Sequence, residues 1–214
     1  MAKKKKNKKL PITLCVITHN SEDRIKDMIL KHKEFVSEVI VVVQKSTDDT
    51  LARAREVADC VIERRCKGTS DPDRNWLFSL ARNPWVLYLD DDEYTSPELN
   101  KKLPDLIKQN VAVYWMARKN LVDGVDIFKV LKHDMQPRLF QKGALTFPDQ
   151  IHTYPRAEKD AYVAFVDYPI VHERTFEQVK RSNRDRNIVA DKDRLAMQEK
   201  FIAQVGELLE NSAD

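Results

Sequence analysis

The segment EVIVVV, residues 38–43, carries an unbroken run of β-branched, apolar side chains from Val39 to Val43. A strand that is apolar on both of its faces must be covered on both, as happens in a parallel sheet flanked by helices. Three further runs of strand length surround it: LPITLCVIT (10–18), CVIERR (60–65) and WVLYL (85–89). Helical patterns separate them. NSEDRIKDMILKHKEF follows the first strand, with Ser21 as the expected N-cap and Ile25, Met28, Ile29 and Phe35 or Val36 at helical spacing. A second helix is expected near 48–58, with Leu51, Ala54 and Val57 or Ala58 on one face, and a third over DRNWLFSLAR, residues 73–82. Strands that alternate with helices predict an α/β fold with right-handed crossovers.

Beyond residue 110 the rhythm changes. VAVYWMAR reads as a strand, and PRLF, ALTF and YVAFV read as short strands and loops. The last stretch reads as helical, with Ile188, Leu195, Ile202 and Leu209 seven apart and Val205 and Leu208 beside them. Such a stripe packs on its own domain or forms a dimer seam. The expected organisation is a basic tail over 1–9, a catalytic domain over 10–172 and a helical extension over 173–214 packed on it. A chain of 214 residues has room for one substantial core.

Charge and cysteine content narrow the setting. Six lysines in MAKKKKNKK account for the positive net charge, and the remainder of the chain is net acidic. Such a tail is a solubilising, disordered segment, or a tether to an anionic surface or nucleic acid. No apolar run approaches the ~20 residues of a membrane span, and no apolar signal core opens the chain. The expectation is a cytoplasmic protein, with peripheral contact to the inner membrane as a variant. Cys15, Cys60 and Cys66 are odd in number and lack metal-site spacing, so buried free thiols are expected rather than a disulfide or a zinc site.

Open α/β sheets bind ligands beyond the carboxyl ends of their strands. Three polar clusters fall there: THNSED after the first strand, QKSTDDT after the second, and DDDE, residues 90–93, after the fourth. Helix N-termini at such turns favour anions, yet the third cluster is itself anionic. A hard divalent cation resolves the conflict: carboxylates on a rigid strand end hold Mg2+ or Mn2+, which bridges them to a diphosphate. Only four glycines occur, none in the turn after the first strand, which excludes a Walker loop and a dinucleotide fingerprint.

Taken in order, ITHNSE, EVIVVVQKSTDDT, DRNWLFSLARNPWVLYLDDDEYTSPEL, DMQPRLFQKGALTF, IHTY and IVHE resemble the family-2 glycosyltransferases of GT-A fold. The small bacterial lipopolysaccharide-core-type glucosyltransferases are the most similar group. The resemblance runs over roughly residues 11–190. It implies a mostly parallel central sheet flanked by helices, with a C-terminal helix. It implies a donor site formed by Thr18, Asn20, Glu22, Gln44, Ser46, Thr47, Asp48, Arg74, Asn75, Asp90 and Asp91. The metal falls to Asp92 and His172, and the acceptor and catalytic side to Gln136, Arg138 and His152.

Two departures matter. Val43 stands where the family places an aspartate facing the base; valine accepts no hydrogen bond, so Gln44 substitutes or the base is not uracil. Thr153 stands where a glutamate follows the histidine, so the base that takes the acceptor proton falls to Asp149, Asp134 or Glu173. The implied reaction is inverting, metal-dependent transfer from a nucleotide-diphospho-sugar, UDP-linked first, to a hydroxyl acceptor. A cell-envelope saccharide or lipid-linked glycan is one acceptor. Hydroxymethylated DNA is the other, with phosphate contacts from the lysine tail and Arg174, Lys180, Arg181, Arg184 and Arg186. A non-catalytic binding protein of the same fold is a third reading, and the oligomeric state stays open.

Overall fold

Two neighbouring strands carry the first two apolar runs of the chain: β1 (Leu10–Thr18) and β2 (Val36–Gln44), paired in parallel from Thr13↔Glu38 to Thr18↔Val43. The computed structural model describes residues 9–65, 71–131, 134–148, 154–180 and 192–212. Both strands are buried on both faces, as the apolar runs require. One face, with Ile12, Leu14, Val16, Val39, Val41 and Val43, packs on Ile25, Met28 and Ile29 of helix α1 (Ile25–Lys33). The other, with Cys15, Ile17, Ile40 and Val42, packs on Leu77 and Phe78 of helix α3 (Asp71–Ser79). Helix α2 (Thr50–Val57) leads to strand β3 (Cys60–Arg64) on the outer side of β2, and β4 (Trp85–Asp90) pairs with β1 on the other side.

The rest of the sheet is mixed. It comprises β5 (Glu93–Thr95), β6 (Val113–Val122), β7 (Val125–Asp126), β8 (Met135–Gln141) and β11 (Val163–Arg174). The strand order is β3-β2-β1-β4-β8-β6-β11-β5, with β7 on β6; β9 (Leu145–Thr146) and β10 (Arg156–Ala157) form a separate hairpin pair. Strand β8 runs antiparallel to β4 and β6, β11 parallel to β6, and β5 antiparallel to β11. The order reverses at β1, where β2 lies on one side and β4 on the other, so a crevice opens at the carboxyl ends of β1 and β4.

Helix ends depart from the expected bounds for local reasons. Helix α1 begins at Ile25 and has no side-chain cap. The Ser21 hydroxyl instead donates to the Asp91 carboxylate, so only its carbonyl serves the helix, accepting from the Ile25 N–H at 3.0 Å. Helix α3 stops at Ser79, because the Leu80 and Ala81 amides turn back to the carbonyls three residues earlier. Helix α4 (Pro97–Leu106) has Ser96 as its N-cap, accepting from the Leu99 amide at 3.1 Å. The final helix α5 (Lys192–Glu210) buries Val205 beside Val122, Ile127 and Val179, with Phe201, Leu208 and Leu209 flanking it. Ile188 lies outside the described residues, as do residues 1–8, which hold most of the lysine tail, and Arg181, Arg184 and Arg186. Cys15 and Cys60 are free thiols; Cys15 is buried as expected, Cys60 is exposed on the outer strand β3, and Cys66 lies outside the described residues. Among the described residues no helix is long and apolar enough to cross a membrane.

One buried group makes stability depend on pH. His32 sits on α1 with 1% exposure, donating from Nδ1 to the Met28 carbonyl (2.7 Å) and accepting at Nε2 from the Thr95 amide (3.3 Å). That pairing requires a neutral ring. Burial pushes its pKa down to about 4, with Lys31 adding to the push and the Met28 bond opposing it. Between that value and the ~6.5 of an unfolded histidine, the unfolded chain binds the extra proton. Stability therefore rises with pH across this window, is complete above it, and is lost as pH falls, by about 3 kcal/mol in all. Urea unfolding at pH 7 and pH 4.5 should show this slope, and His32→Leu should flatten it even though the variant is less stable.

Candidate active site

Three loops meet at the carboxyl ends of β1, β2 and β4. The first two are latched together by their own polar side chains. Asn20, with φ of 50°, donates its amide to Ser46 Oγ (3.0 Å) and accepts the Thr47 amide on Oδ1 (2.8 Å). Glu22 accepts the Asp49 amide (2.9 Å) and donates its own amide to Asp48 (3.3 Å). Asp48 also accepts the Thr50 amide and hydroxyl; desolvation pushes its acid up, but these bonds and the Glu22 amide together outweigh it and hold the acid below the usual range. The Ser21 amide closes the latch on Thr50 Oγ1 at 2.6 Å.

The acidic run is resolved by giving each carboxylate different partners. Asp90 accepts from Arg138 Nη2 at 2.7 Å, with Arg118 Nη1 at 3.9 Å. Desolvation would raise its acid, but Arg138 first, then Arg118 and Arg74, hold it well below the ordinary range. Asp91 accepts from Thr18 Oγ1 (2.5 Å), Ser21 and the Arg24 guanidinium (3.1 Å). Burial dominates there and raises its acid. Asp92 faces His172, Oδ2 to Nε2 at 3.1 Å; burial would raise its acid, and the hydrogen bond and charge of a doubly protonated ring outweigh that and lower it. Glu93 is fully buried, accepts from Arg138 (2.6 Å) and Arg118 (3.1 Å), and caps the Asp90 amide at 3.0 Å. Four adjacent acids are tolerated because Arg24, Arg118, Arg138 and His172 converge on them from four other places in the chain.

Sheet register brings the histidine there. His172 on β11 lies beside Asn120 on β6 and opposite Glu93 on β5. Nδ1 of His172 meets Oδ1 of Asn120 at 2.7 Å. Among the described residues no three His, Cys, Asp or Glu side chains are gathered into a metal-binding group. The Asp92–His172 pair nevertheless fits a hard divalent cation that keeps its other positions for phosphate oxygens and water. A neutral ring that donates through Nδ1 turns its Nε2 lone pair toward the carboxylate, and a cation between the two acceptors relieves their repulsion.

The remaining expected site residues fall as follows. Gln44 is buried and donates Nε2 to Asp73 Oδ2 at 3.1 Å, and its carbonyl accepts from His19 at 2.5 Å. Arg74 donates to the Tyr88 hydroxyl (3.1 Å) and lies 4.9 Å from the Phe147 ring centroid. Asn75 holds the Phe147 backbone at both ends, donating to its carbonyl (2.5 Å) and accepting its amide (2.9 Å). Gln136 donates to Asp134 (2.7 Å), whose other oxygen accepts from Arg118 (2.6 Å) and Asn120 (3.0 Å). Glu173 is exposed and donates its amide to the Asp92 carbonyl at 3.1 Å. Asp149, His152 and Thr153 lie outside the described residues. Sequence reading missed Arg24, Asp73, Glu93, Arg118 and Asn120. Glu93 was in plain view as the fourth acid; the others carry no local pattern, because their partners lie on distant strands.

The family model for glycosyl transferase family 2 matches residues 13–162, from within β1 through β10 and including the acidic run. The chain belongs to glycosyl transferase family 2. Two family relatives are uncharacterized glycosyltransferases of Rickettsia: one from Rickettsia felis is 35% identical over 129 residues, 60% of this chain and 44% of the relative. The other, from Rickettsia typhi, is 37% identical over 129 residues, 60% of this chain and 42% of the relative. The chain thus spans less than half the length of the curated relatives it matches. Among solved structures, S. aureus TarS 1-349 in complex with UDP-GlcNAc superposes with a TM-score of 0.55 at 20% identity, over 90% of this chain and 70% of that one. Glucosyl-3-phosphoglycerate synthase from Mycobacterium tuberculosis, in complex with Mn2+, UDP and glucosyl-3-phosphoglycerate, gives 0.51 at 18% identity, over 92% and 79%. At these identities the likeness shows the fold, which is GT-A.

Proposed function

We propose that this family-2 glycosyltransferase moves a sugar from a nucleotide-diphospho-sugar to a hydroxyl acceptor, with inversion at the anomeric carbon. The observation that carries the reading is the Asp92–His172 pair at the mouth of the β1/β4 crevice, beside the latched loops that would receive the nucleotide. Asp92 and His172 would hold Mn2+ or Mg2+. When bound, such an ion screens charge on the departing diphosphate. TarS holds UDP-GlcNAc and the mycobacterial synthase holds UDP with Mn2+, which supports a UDP-sugar and Mn2+ as the first pair to test.

The protein's own residues supply the rest. Arg138, anchored on Glu93, orients Asp90 toward the ribose; Arg74, braced by Tyr88, stabilises diphosphate charge. Gln44, steadied by Asp73, reads the base where Val43 has no acceptor. The acceptor oxygen attacks the anomeric carbon as the bond from that carbon to the diphosphate oxygen breaks, and a carboxylate takes the hydroxyl proton. Asp134 is poorly suited to that task. Burial raises its acid, but Arg118 first and then Gln136 and Asn120 hold it low, and both its oxygens are engaged. Asp149 is the preferred base and Glu173 the alternative. The acceptor we favour is a cell-envelope saccharide or lipid-linked glycan, used on the cytoplasmic side.

The test is a panel of UDP-, GDP-, dTDP- and CDP-sugars incubated with the protein and Mn2+. Release of nucleoside diphosphate from one donor class is expected, and release from none would refute the assignment.

A further inference from the structure

We propose that Asn120 is a positioning residue for the metal pair: it holds His172 in the Nδ1-protonated tautomer, so that Nε2 is presented toward Asp92. The inference rests on the reading of Asp92 and His172 as the metal pair. Its geometric basis is the hydrogen-bond chain behind the ring. Asn120 is buried, and its Nδ2 donates to the Arg118 carbonyl (3.2 Å) and to Asp134 Oδ2 (3.0 Å). Both amide hydrogens are therefore directed at oxygens. Flipping the amide would set its oxygen against a carbonyl and a carboxylate, so its orientation is fixed.

Oδ1 then has one role toward His172 Nδ1, at 2.7 Å: it accepts. The tautomer of a neutral imidazole is set by the hydrogen bond its other nitrogen makes. A neutral histidine in water favours the opposite tautomer, protonated at Nε2, which would place a hydrogen where a cation has to bind. Asp134, which orders Asn120, is itself held by Arg118 Nε (2.6 Å) and Gln136 Nε2 (2.7 Å). The alignment of Asn120 with His172 across β6 and β11 is part of the sheet register, so the ring is oriented by the fold itself. Outer partners of this kind usually change metal affinity by ~10–100-fold when removed.

Long-range 1H–15N spectra of the metal-free protein, at a pH where the ring is neutral, read the tautomer directly. The His172 signals are those absent from His172→Asn. Wild type should be protonated at Nδ1. Asn120→Leu removes the acceptor and should shift the ring to the Nε2-protonated form, with Mn2+ affinity in the presence of UDP reduced ~10–100-fold. Asn120→Asp keeps an acceptor and should keep the wild-type tautomer and bind Mn2+ more tightly than the leucine variant. Nε2 protonation in wild type overturns the inference whether or not the variants fold, and so does an unchanged tautomer in Asn120→Leu. If wild type binds no Mn2+ with UDP present, the metal reading falls. An Nδ1-protonated ring lost in Asn120→Leu would then still support Asn120 as the residue that sets the His172 tautomer.

Discussion

Asp92→Asn should lower turnover of a nucleotide-sugar by ~10²–10³-fold, the usual effect of removing one group that stabilises transition-state charge. The substitution keeps the side-chain volume and removes one negative charge from a partly exposed position. It leaves the Asp90–Arg138–Glu93 cluster intact, so the fold should persist. The loss should fall chiefly on kcat, because charge on the diphosphate grows as the anomeric bond breaks. Steady-state release of nucleoside diphosphate, beside a thermal unfolding curve for each protein, separates loss of chemistry from loss of structure. Wild-type turnover in Asp92→Asn would show that this carboxylate only begins a helix-leading turn.

Arg138→Met should have the largest effect on stability. Arg138 is almost fully enclosed, and its guanidinium bridges Asp90 at 2.7 Å and Glu93 at 2.6 Å, with the Tyr88 ring 5.1 Å beneath it. Methionine fills similar space but leaves the buried Glu93 with Arg118, and Asp90 with Arg118 and the charge of Arg74. Breaking such a buried pair costs about 3–5 kcal/mol, and Arg118 places the effect toward the lower end. The pH dependence has a definite sign. Arg138 depresses the Asp90 acid, so the pair's contribution is present above an ordinary aspartate pKa and is lost as pH falls through the depressed one. The variant should therefore lose less stability than wild type below about pH 4. Urea unfolding as a function of pH measures both effects; a cost under about 1 kcal/mol at pH 7 would mean the cluster tolerates an unpaired glutamate.

The parts of this molecule that are visible in its sequence are those set by local pattern. Strands β1, β2 and β4 announce themselves because burial on both faces demands unbroken apolar runs. Helix α4 does so because Ser96-Pro97 is a cap followed by a residue suited to the first helical position. Strands β5, β7, β9 and β10 are two or three residues long and hold no period to detect.

The site divides in the same way. The acidic run pointed to a charge problem, and the order of motifs pointed to the family. How the charges are balanced depends on pairs far apart in the chain: Arg138 is 48 positions from Asp90, and Asn120 is 52 from His172. Ser21 shows the converse, a residue whose local pattern says cap while a carboxylate 70 positions away takes its hydroxyl. Asn75 and Gln136 likewise keep the expected residue types, yet their amides hold Phe147 and Asp134.

Whether Asp92 and His172 hold a divalent cation against a nucleotide diphosphate is read by calorimetric titration of UDP into the intact protein, run with Mn2+ and again with excess chelator. Saturable binding with Mn2+ is expected, weakening at least tenfold on chelation in wild type, with no such dependence in Asp92→Asn. Equal UDP affinity with and without Mn2+ in the wild-type protein would contradict the metal assignment.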